Sequence, residues 1–561
     1  MRWRAVVALS LFVFGGCSTV RREPEEARAR RGGTFRLIVQ NPPETLDPQR
    51  IVFLSDWELA SLAYEGLTAY GAEPGEIRPA LAESWEELDG GRRWIFKLRP
   101  NAYFHDDPCF PGGRGRKAVA GDVVYTLERV AHPKTACANW YLFAGKIEGI
   151  DDFHSGRAPG IRGVRVLDER RIEIRLTRPY AAFLKLLASQ TALIASREAV
   201  EYYGSEFGDH PVGTGPFRLV KRTPLEQMLF ARHANYWRSD ARGVPLPYLD
   251  NIDVRIRGEA TESVILAAFL KGETYLYPAQ QNLYETLRAD ASMASKFRLA
   301  GVIPQAVLRF LGFSLDTGTP LAREARLRRA MLMAFDRTEL ARQSPQVPLY
   351  FADTLAPPFL LKRSRPAPPY DPEAARAVFA QYARELDANP PTLGVNFQSG
   401  DIGLLWRSLA RLSVRSTIQI RPVKYYEYIV KERPSVFRVA FTPAFLDPED
   451  YYCMFYSKSS DEVNLTKYRN AEYDRTLEAA MAEMNPARRT DRFLELEEML
   501  SRDVPAIYLV HGTPSYVITS PRVHGLTVRF LHPNYTEAWV ADPDETNQSP
   551  RAPASAPSGE P

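Results

Sequence analysis

The chain has 561 residues, of which 45% are hydrophobic and 25% charged, so it is long enough for several lobes and has the composition of a globular protein. Its 72 Lys and Arg residues nearly balance its 68 Asp and Glu residues, which leaves a net charge of only +4. Because the basic residues do not gather with aromatic residues in one stretch, the sequence argues against a nucleic-acid partner.

The first residues predict an export signal. A positively charged start is followed by an apolar run over residues 5–14 that is too short to span a bilayer comfortably. Small residues then precede Cys17, as in a bacterial lipobox, so we expect a signal peptide over residues 1–17 and a lipidated Cys17 on a membrane surface. A plain secretory signal is the alternative, because Phe14 replaces the usual leucine. The charged residues 18–31 predict a solvated tether.

Apolar patterns along the rest of the chain alternate between strand and helix. Alternating apolar residues predict strands within 34–39, 94–99, 164–176, 217–220 and 311–316, whereas helical spacing predicts helices within 120–129, 266–271 and 326–337. Asp371 is a natural N-cap for a further helix, with Pro372 at its first position. The mixture predicts an α/β protein, followed by a disordered tail over residues 542–561 that is rich in Pro, Ser and Ala.

One stretch, Val212-Gly213-Thr214-Gly215-Pro216-Phe217, predicts a rigid turn that leads into a strand. It resembles the Val-Gly-Thr-Gly-Pro-Phe/Tyr signature of the extracytoplasmic peptide-binding proteins of ABC importers, the oligopeptide and dipeptide class. Other segments resemble motifs of that class in the same order, and they lie at residues 32–39, 45–48, 79–85, 94–99, 104–107, 120–129, 235–237, 326–337, 468–474 and 503–509. The resemblance therefore covers residues 32 to 540.

The resemblance implies the α/β fold of type II periplasmic binding proteins, with two lobes joined by a hinge and an extra α/β domain. We expect lobe I to comprise residues 32–52, 190–307 and 505–541, the extra domain (domain II) residues 53–189, and lobe III residues 308–504. The ligand then lies in the cleft between lobes I and III, and closure about the hinge strands buries it.

The expected binding site departs from the pattern of the class. Peptide-binding members carry Arg-x-x-Trp-x-x-Asp before an acidic residue and a proline, and the Asp pairs with the α-amino group of the ligand. Here Arg438 is present, but Phe441 replaces the Trp and Ala444 replaces the Asp. Because a buried ammonium needs a buried carboxylate, the usual anchor for a peptide amine is missing at its expected position.

Three further residues complete the candidate site, and the alternatives for them and for Arg438 stay open. Phe445 and Asp447 lie beside Ala444 in the same stretch, and Asp447 alternatively caps the turn before Pro448. Tyr141 occupies a position where the class places cleft-lining aromatics, with core packing as the alternative. Arg438 either binds a ligand carboxylate or carbonyl, or forms a salt bridge between the lobes.

Export also permits a disulfide, and we expect one between Cys109 and Cys137, with two separate buried thiols as the alternative. The run from His105 to Asp107 contains three potential metal ligands. Adjacent residues of an extended chain point in opposite directions, however, so no metal site and no cofactor are predicted.

The resemblance implies a substrate-binding protein of an ABC transporter, which captures a peptide or peptide-like solute and delivers it to permease and ATPase subunits. We expect a monomeric lipoprotein in the periplasm or at the cell surface, anchored to the membrane by its lipid. The alternatives are a non-peptide solute, such as a metal complex or an oligosaccharide, and a sensor or chaperone role without transport. The sequence contains no G-x-S-x-G elbow, HExxH helix or phosphate loop, which argues against an enzyme.

Overall fold

The computed structural model describes residues 31–541, apart from 259, 344–348, 364–365, 367–369, 396–399, 422–423 and 529–531. The predicted signal peptide, Cys17, most of the tether and the tail over 542–561 lie outside the described residues. None of the helices in the described part of the chain has the length and apolar content needed to cross a bilayer.

Lobe I contains strands from distant parts of the sequence. Its four-stranded sheet has the order Thr34–Val39, Asn251–Ile256, Gln227–Arg232 and Phe217–Thr223, and its three-stranded sheet has the order Leu276–Gln280, Ser515–Thr519 and Arg298–Ile303. Two short ribbons lie near the C-terminus and pair Val523–His524 with Trp539–Val540 and Thr527–Val528 with Pro533–Asn534.

Domain II and lobe III each contain a further large sheet. The sheet of domain II has the order Ala82–Leu88, Arg93–Leu98, Arg171–Arg175 and Val164–Val166, beside a ribbon of Thr68–Tyr70 and Ile77–Pro79. The six-stranded sheet of lobe III has the order Tyr350–Phe351, Ala506–His511, Leu308–Phe313, Val436–Phe441, Thr392–Val395 and Thr417–Ile420.

Helices cover these sheets. Up to residue 303 they are Leu54–Ala63, Ala120–Ala131, Ile150–His154, Phe183–Leu186, Arg197–Tyr203, Glu262–Leu270, Gln281–Ala289 and Ala291–Ala294. Beyond residue 303 they are Pro320–Arg323, Ala325–Ala334, Arg337–Gln343, Pro358–Leu361, Pro372–Gln381, Ala383–Ala388, Gly400–Arg411, Tyr425–Glu432, Pro448–Tyr452, Ala471–Ala482 and Pro486–Asp503. The predicted cap is confirmed, since the side chain of Asp371 accepts the N–H of Ala374 at 2.9 Å.

The signature turn packs against the C-terminal end of the helix Leu54–Ala63. A Cβ added at Gly213 would lie 2.1 Å from the carbonyl oxygen of Ala63, so only glycine permits this approach. The carbonyl of Gly215 lies 3.0 Å from Nε2 of His105 and 3.1 Å from Nδ1 of His233, and both imidazoles are buried. The turn therefore joins the helix to segments of domain II and lobe I.

Two segments cross between lobe I and lobe III. Residues 304–307 lead from the strand Arg298–Ile303 into Leu308–Phe313, and residues 512–514 lead from Ala506–His511 back into Ser515–Thr519. The N–H of Gly512 donates to the carbonyl of Val307 at 2.8 Å, so the crossings lie side by side. They have the arrangement expected of a hinge.

One predicted boundary needs correction. We expected residues 505–541 to belong to lobe I, but the strand Ala506–His511 pairs with Leu308–Phe313 in the lobe III sheet. Lobe III therefore extends to residue 511, and only the strand after the second crossing returns to lobe I. The motif before this strand did not reveal which sheet it joins.

The predicted disulfide is not formed, because Cys109 and Cys137 are both free thiols. The N–H of Cys109 donates to Oδ1 of Asp107 at 2.9 Å, whereas Cys137 lies near the charges of Asp47 and Arg129. The two thiols thus have different surroundings, which corresponds to the alternative of two separate thiols. Burial raises the pKa of Cys137 to about 11, so this thiol is protonated at neutral pH.

Because the two crossings pack closely, we expect a substitution at Gly512 to lower stability. In Gly512→Ala the new Cβ would lie 2.5 Å from Cβ of Gln305, so the crossings must move apart. We expect a loss of about 1–3 kcal/mol in the free energy of unfolding, as for other overpacked sites. Chemical denaturation of the purified protein measures it.

Gly318→Ala is the matched control, because a Cβ added there meets nothing within 4 Å. Its stability should stay within about 0.5 kcal/mol of the wild type. If both variants were equally stable, the two crossings would not be packed as tightly as the structure shows.

Candidate functional site

The strand Val436–Phe441 places the predicted site at the junction of the lobes. It lies inside the lobe III sheet, where Phe441 is opposite Leu308 and Leu308 is opposite His511. Leu308 and His511 are the lobe III ends of the two crossings. The end of the strand at Phe441, and the loop that follows it, therefore lie beside the hinge.

Phe441 contributes to an apolar cavity. Its ring packs edge-on against Tyr451, with a centroid distance of 5.4 Å, and it lines a cavity of about 200 Å³. The other lining side chains are mostly apolar and include Phe310, Tyr426, Met454, Phe455 and Leu465, with Glu462 as the charged member. This composition suits an apolar group of a ligand.

Arg438 is buried in the same strand, close to two tyrosines. Its N–H donates to the hydroxyl of Tyr425 at 3.0 Å, and that hydroxyl donates to the carbonyl of Gly394 at 2.8 Å. Burial raises the pKa of Tyr426, and the positive charge of Arg438 acts in the opposite direction. Tyr426, in the helix Tyr425–Glu432, is 53% exposed, whereas Arg438 itself is 6% exposed.

Position 444 lacks a carboxylate of its own but lies against one. The N–H of Ala444 donates to Oδ2 of Asp450 at 2.6 Å, and the hydroxyl of Tyr141 donates to Oδ1 of Asp450 at 3.3 Å. Asp450 is buried, and burial raises its pKa to about 7. The structure thus brings Tyr141 and Ala444 together through an acid that the sequence did not single out.

Asp447 and Phe445 are both buried, with no side-chain surface left for a ligand in this conformation. Two hydrogen bonds from Arg489, at 2.6 and 2.7 Å, and one from Lys185, at 2.8 Å, engage the Asp447 carboxylate. It also accepts the N–H of Glu449 at 3.0 Å, which is the predicted alternative of turn capping. Burial acts to raise the pKa of Asp447, but the charges of Arg489 and Lys185 lower it below its ordinary value. We therefore assign both residues to structure and withdraw them as ligand contacts.

Asp447, Glu449 and Asp450 form what we call the acidic turn, and domain II docks on it. The hydroxyl of Tyr180 donates to Oε1 of Glu449 at 2.9 Å, and Nζ of Lys146 lies 3.9 Å from the same oxygen. These contacts join residues separated by several hundred positions, and no motif in either segment signals the pairing.

The segment from His105 to Asp107 does not converge on an ion. The ring of His105 reaches Gly215, Asp106 accepts the N–H of Gly115, and Asp107 accepts the hydroxyl of Tyr203. Among the residues that the structure describes, no three His, Cys, Asp or Glu side chains form a cluster suited to a metal.

Known proteins resemble the chain over most of its length. The family model described as "Bacterial extracellular solute-binding proteins, family 5 Middle" matches residues 76–462. The probable deoxycholate-binding periplasmic protein YgiS of Escherichia coli is 25% identical over 517 residues, which cover 88% of this chain and 90% of that protein. The peptide transport periplasmic protein SapA of Salmonella typhimurium is 25% identical over 537 residues, which cover 90% of this chain and 92% of that protein.

Solved structures agree with this fold. The periplasmic binding protein DppA of Helicobacter pylori, solved with the peptide STSA, superposes with a TM-score of 0.73 at 18% identity and covers 92% of this chain and 99% of its own. The predicted fold, two lobes with a hinge and an extra domain, is confirmed.

The ion pairs of the acidic turn predict a large stability effect. In Arg489→Met, Asp447 loses two hydrogen bonds while it stays buried. Breaking a buried pair in this way costs about 3–5 kcal/mol. Denaturant unfolding should show a loss of this size.

The neighbouring Arg488 offers the control, because its side chain is 71% exposed and pairs with Glu483 at the surface. Arg488→Met should change stability by less than about 1 kcal/mol. Equal effects of the two substitutions would contradict the role given to Arg489.

The raised pKa of Asp450 predicts that the free energy of unfolding depends on pH. Because its pKa is raised from 3.8 to about 7 in the fold, the stability that it contributes is fully present below its unfolded pKa and is lost as the pH rises to about 7. The loss is at most about 4 kcal/mol. In Asp450→Asn this titration is absent, so the variant should gain on the wild type between about pH 4 and pH 7.

Unfolding curves at several pH values test this expectation. Glu449, whose pKa burial also raises, titrates in both proteins and cancels in the difference to the extent that the substitution leaves it unchanged. A constant difference between the two proteins across this range would show that Asp450 does not take up a proton on folding.

Proposed function

Because the chain belongs to the bacterial extracellular solute-binding proteins of family 5, we propose that it captures a peptide or peptide-like solute between lobes I and III. The closed protein would then deliver this solute to the permease and ATPase subunits of an ABC transporter. A role in binding rather than in catalysis follows from the family. Among the relatives, the Salmonella SapA is named as a peptide transport protein, and the Helicobacter DppA is a periplasmic binding protein solved with a bound peptide.

The position of Phe441 is the observation that carries the proposal. This residue ends a lobe III strand opposite Leu308, directly beside both crossings, and it lines an apolar cavity of about 200 Å³. A solute held there would contact lobe III close to the two crossings. Arg438, three residues earlier in the strand, is buried and does not line this cavity, and we keep it as a proposed partner for a carboxylate or carbonyl of the solute.

A non-peptide solute is the second candidate, and position 444 favours it. Ala444 has no carboxylate for a peptide amine, and Asp450 behind it is buried. The relative YgiS is named as a probable binder of deoxycholate, a solute with a carboxylate and no amine. Arg438 would suit such an acid as well as it suits the carboxyl end of a peptide.

Export and anchoring complete the proposal. We infer cleavage before Cys17, lipidation of that cysteine and a location in the periplasm or at the cell surface as a monomer. The intact mass of the protein purified from membranes, compared with that of Cys17→Ser, tests the lipid. Sedimentation of the mature protein tests the monomer.

The substrate is identified first by native mass spectrometry of the freshly purified protein. A ladder of short peptides supports the first candidate, and a single non-peptide species supports the second. If peptides are found, free and N-acetylated forms of one peptide should bind within about threefold of each other, since no carboxylate at position 444 recognises the amine. A strong preference for the free amine would place the anchor elsewhere in the cleft.

The role of Arg438 is tested by titration calorimetry with the solute so identified. Arg438→Gln should weaken binding by about tenfold or more, since a charge-assisted hydrogen bond contributes about 1.5–3 kcal/mol. Arg421→Gln is the control, because Arg421 is exposed and stacks on Tyr428. A folded Arg438→Gln variant with wild-type affinity would exclude Arg438 from the site.

A further inference from the structure

A second and larger cavity lies between domain II and lobe I, and its lining includes none of the residues from 438 to 450. It encloses about 370 Å³, which is within the range of small-molecule sites. Its walls include the aromatic side chains of Trp57, Tyr70, Trp237 and His532 together with Arg99. Trp57 packs edge-on against both Tyr70, at 6.2 Å, and His532, at 5.7 Å, so the apolar wall is ordered.

The guanidinium of Arg99 is held in a fixed orientation. Its Nε donates to the carbonyl of Ala80 at 2.7 Å, and its plane covers the indole of Trp237, with Cζ 3.7 Å from the ring centre. Within the described part of the chain, its two terminal nitrogens have no hydrogen-bond partner. A guanidinium fixed in this way presents parallel N–H donors, which match the two oxygens of a carboxylate.

The other charged groups of the wall already have hydrogen-bond or ion-pair partners, and the charge of Glu65 also acts on Arg99. Glu65 accepts hydrogen bonds from Tyr236 at 2.9 Å, from Trp237 at 2.9 Å and from Thr214 at 3.0 Å. Arg238 forms an ion pair with Glu537 at 3.1 Å, and Arg78 forms an ion pair with Glu76 at 2.7 Å.

By contrast, no acid of the described residues forms an ion pair with Arg99. The cavity therefore combines an aromatic wall with the Arg99 guanidinium, whose terminal N–H donors are unused among the described residues.

We propose that this cavity binds a small organic acid, with its carboxylate on Arg99 and an aromatic or similarly apolar body against Trp57, Tyr70 and His532. This second site shares no lining residue with the Phe441 cavity, although its Tyr70 accepts the N–H of Leu446 at 3.1 Å, and it goes beyond the proposed transport function. The selectivity for an acid follows from Arg99, since an uncharged amide of the same shape offers only one oxygen acceptor and no charge.

Calorimetry with 3-phenylpropionate, compared with its neutral amide, tests the proposal on the full mature chain. We expect the acid to bind about tenfold or more tightly than the amide, and Arg99→Gln to remove this advantage. Arg92→Gln is the matched control, because Arg92 is exposed and does not line the cavity. Equal binding of acid and amide, or full binding by Arg99→Gln, would overturn the proposal, as would no binding of the acid to the wild type.

Two further variants separate this site from the solute cleft and guard against misfolding. Arg438→Gln should leave 3-phenylpropionate binding unchanged, so a loss there would assign the acid to the cleft instead. Ala69→Phe adds a ring at a residue that lines the cavity, and it should block the acid even if Arg99→Gln fails to fold. Retained binding by a folded Ala69→Phe variant would also overturn the proposal, whatever the outcome for peptide binding.

Discussion

The buried carboxylate of Asp447 holds domain II and lobe III together. Two charges from different parts of the chain, Arg489 and Lys185, converge on it within 2.8 Å. Removing these groups from water costs several kcal/mol per ion, and only a complete set of partners offsets that cost. The geometry of the acidic turn, and of the loop that leads to it from Phe441, is therefore fixed by electrostatics as much as by packing.

This constraint bears on what the cleft can recognise. In the peptide-binding pattern an Asp stands where this chain has Ala444. Here the nearest carboxylate, Asp450, is turned inward, where it accepts the N–H of Ala444 and the hydroxyl of Tyr141. A carboxyl group that is buried against domain II, with its pKa raised to about 7, is not available to a ligand amine. Ala444, Asp450 and Tyr141 thus contribute to the docking of domain II, and position 444 presents no carboxylate to a ligand amine.

The sequence predicted features that depend on neighbours in the chain. Asp371 caps its helix as expected, and the glycine of the signature turn at 213 is explained by the carbonyl of Ala63 against it. The sequence did not predict hydrogen bonds between residues far apart in the chain, such as Tyr141 and Asp450, because a single sequence contains no signal for them. The assumed disulfide of Cys109 failed for a related reason, since spacing alone does not bring two thiols together.

The ion network also explains how a tightly docked interface remains able to open. When lobe III swings away from domain II about residues 304–307 and 512–514, the charged groups that leave this interface return to water and regain their hydration. The Coulomb energy gained on docking and the hydration lost nearly cancel, so the network determines the closed geometry while stabilising it only modestly. A solute bound with about −8 kcal/mol, which corresponds to micromolar affinity, is then sufficient to shift the equilibrium towards closure. A wholly apolar interface of the same area would lack this balance, because exposing it to water restores nothing in return.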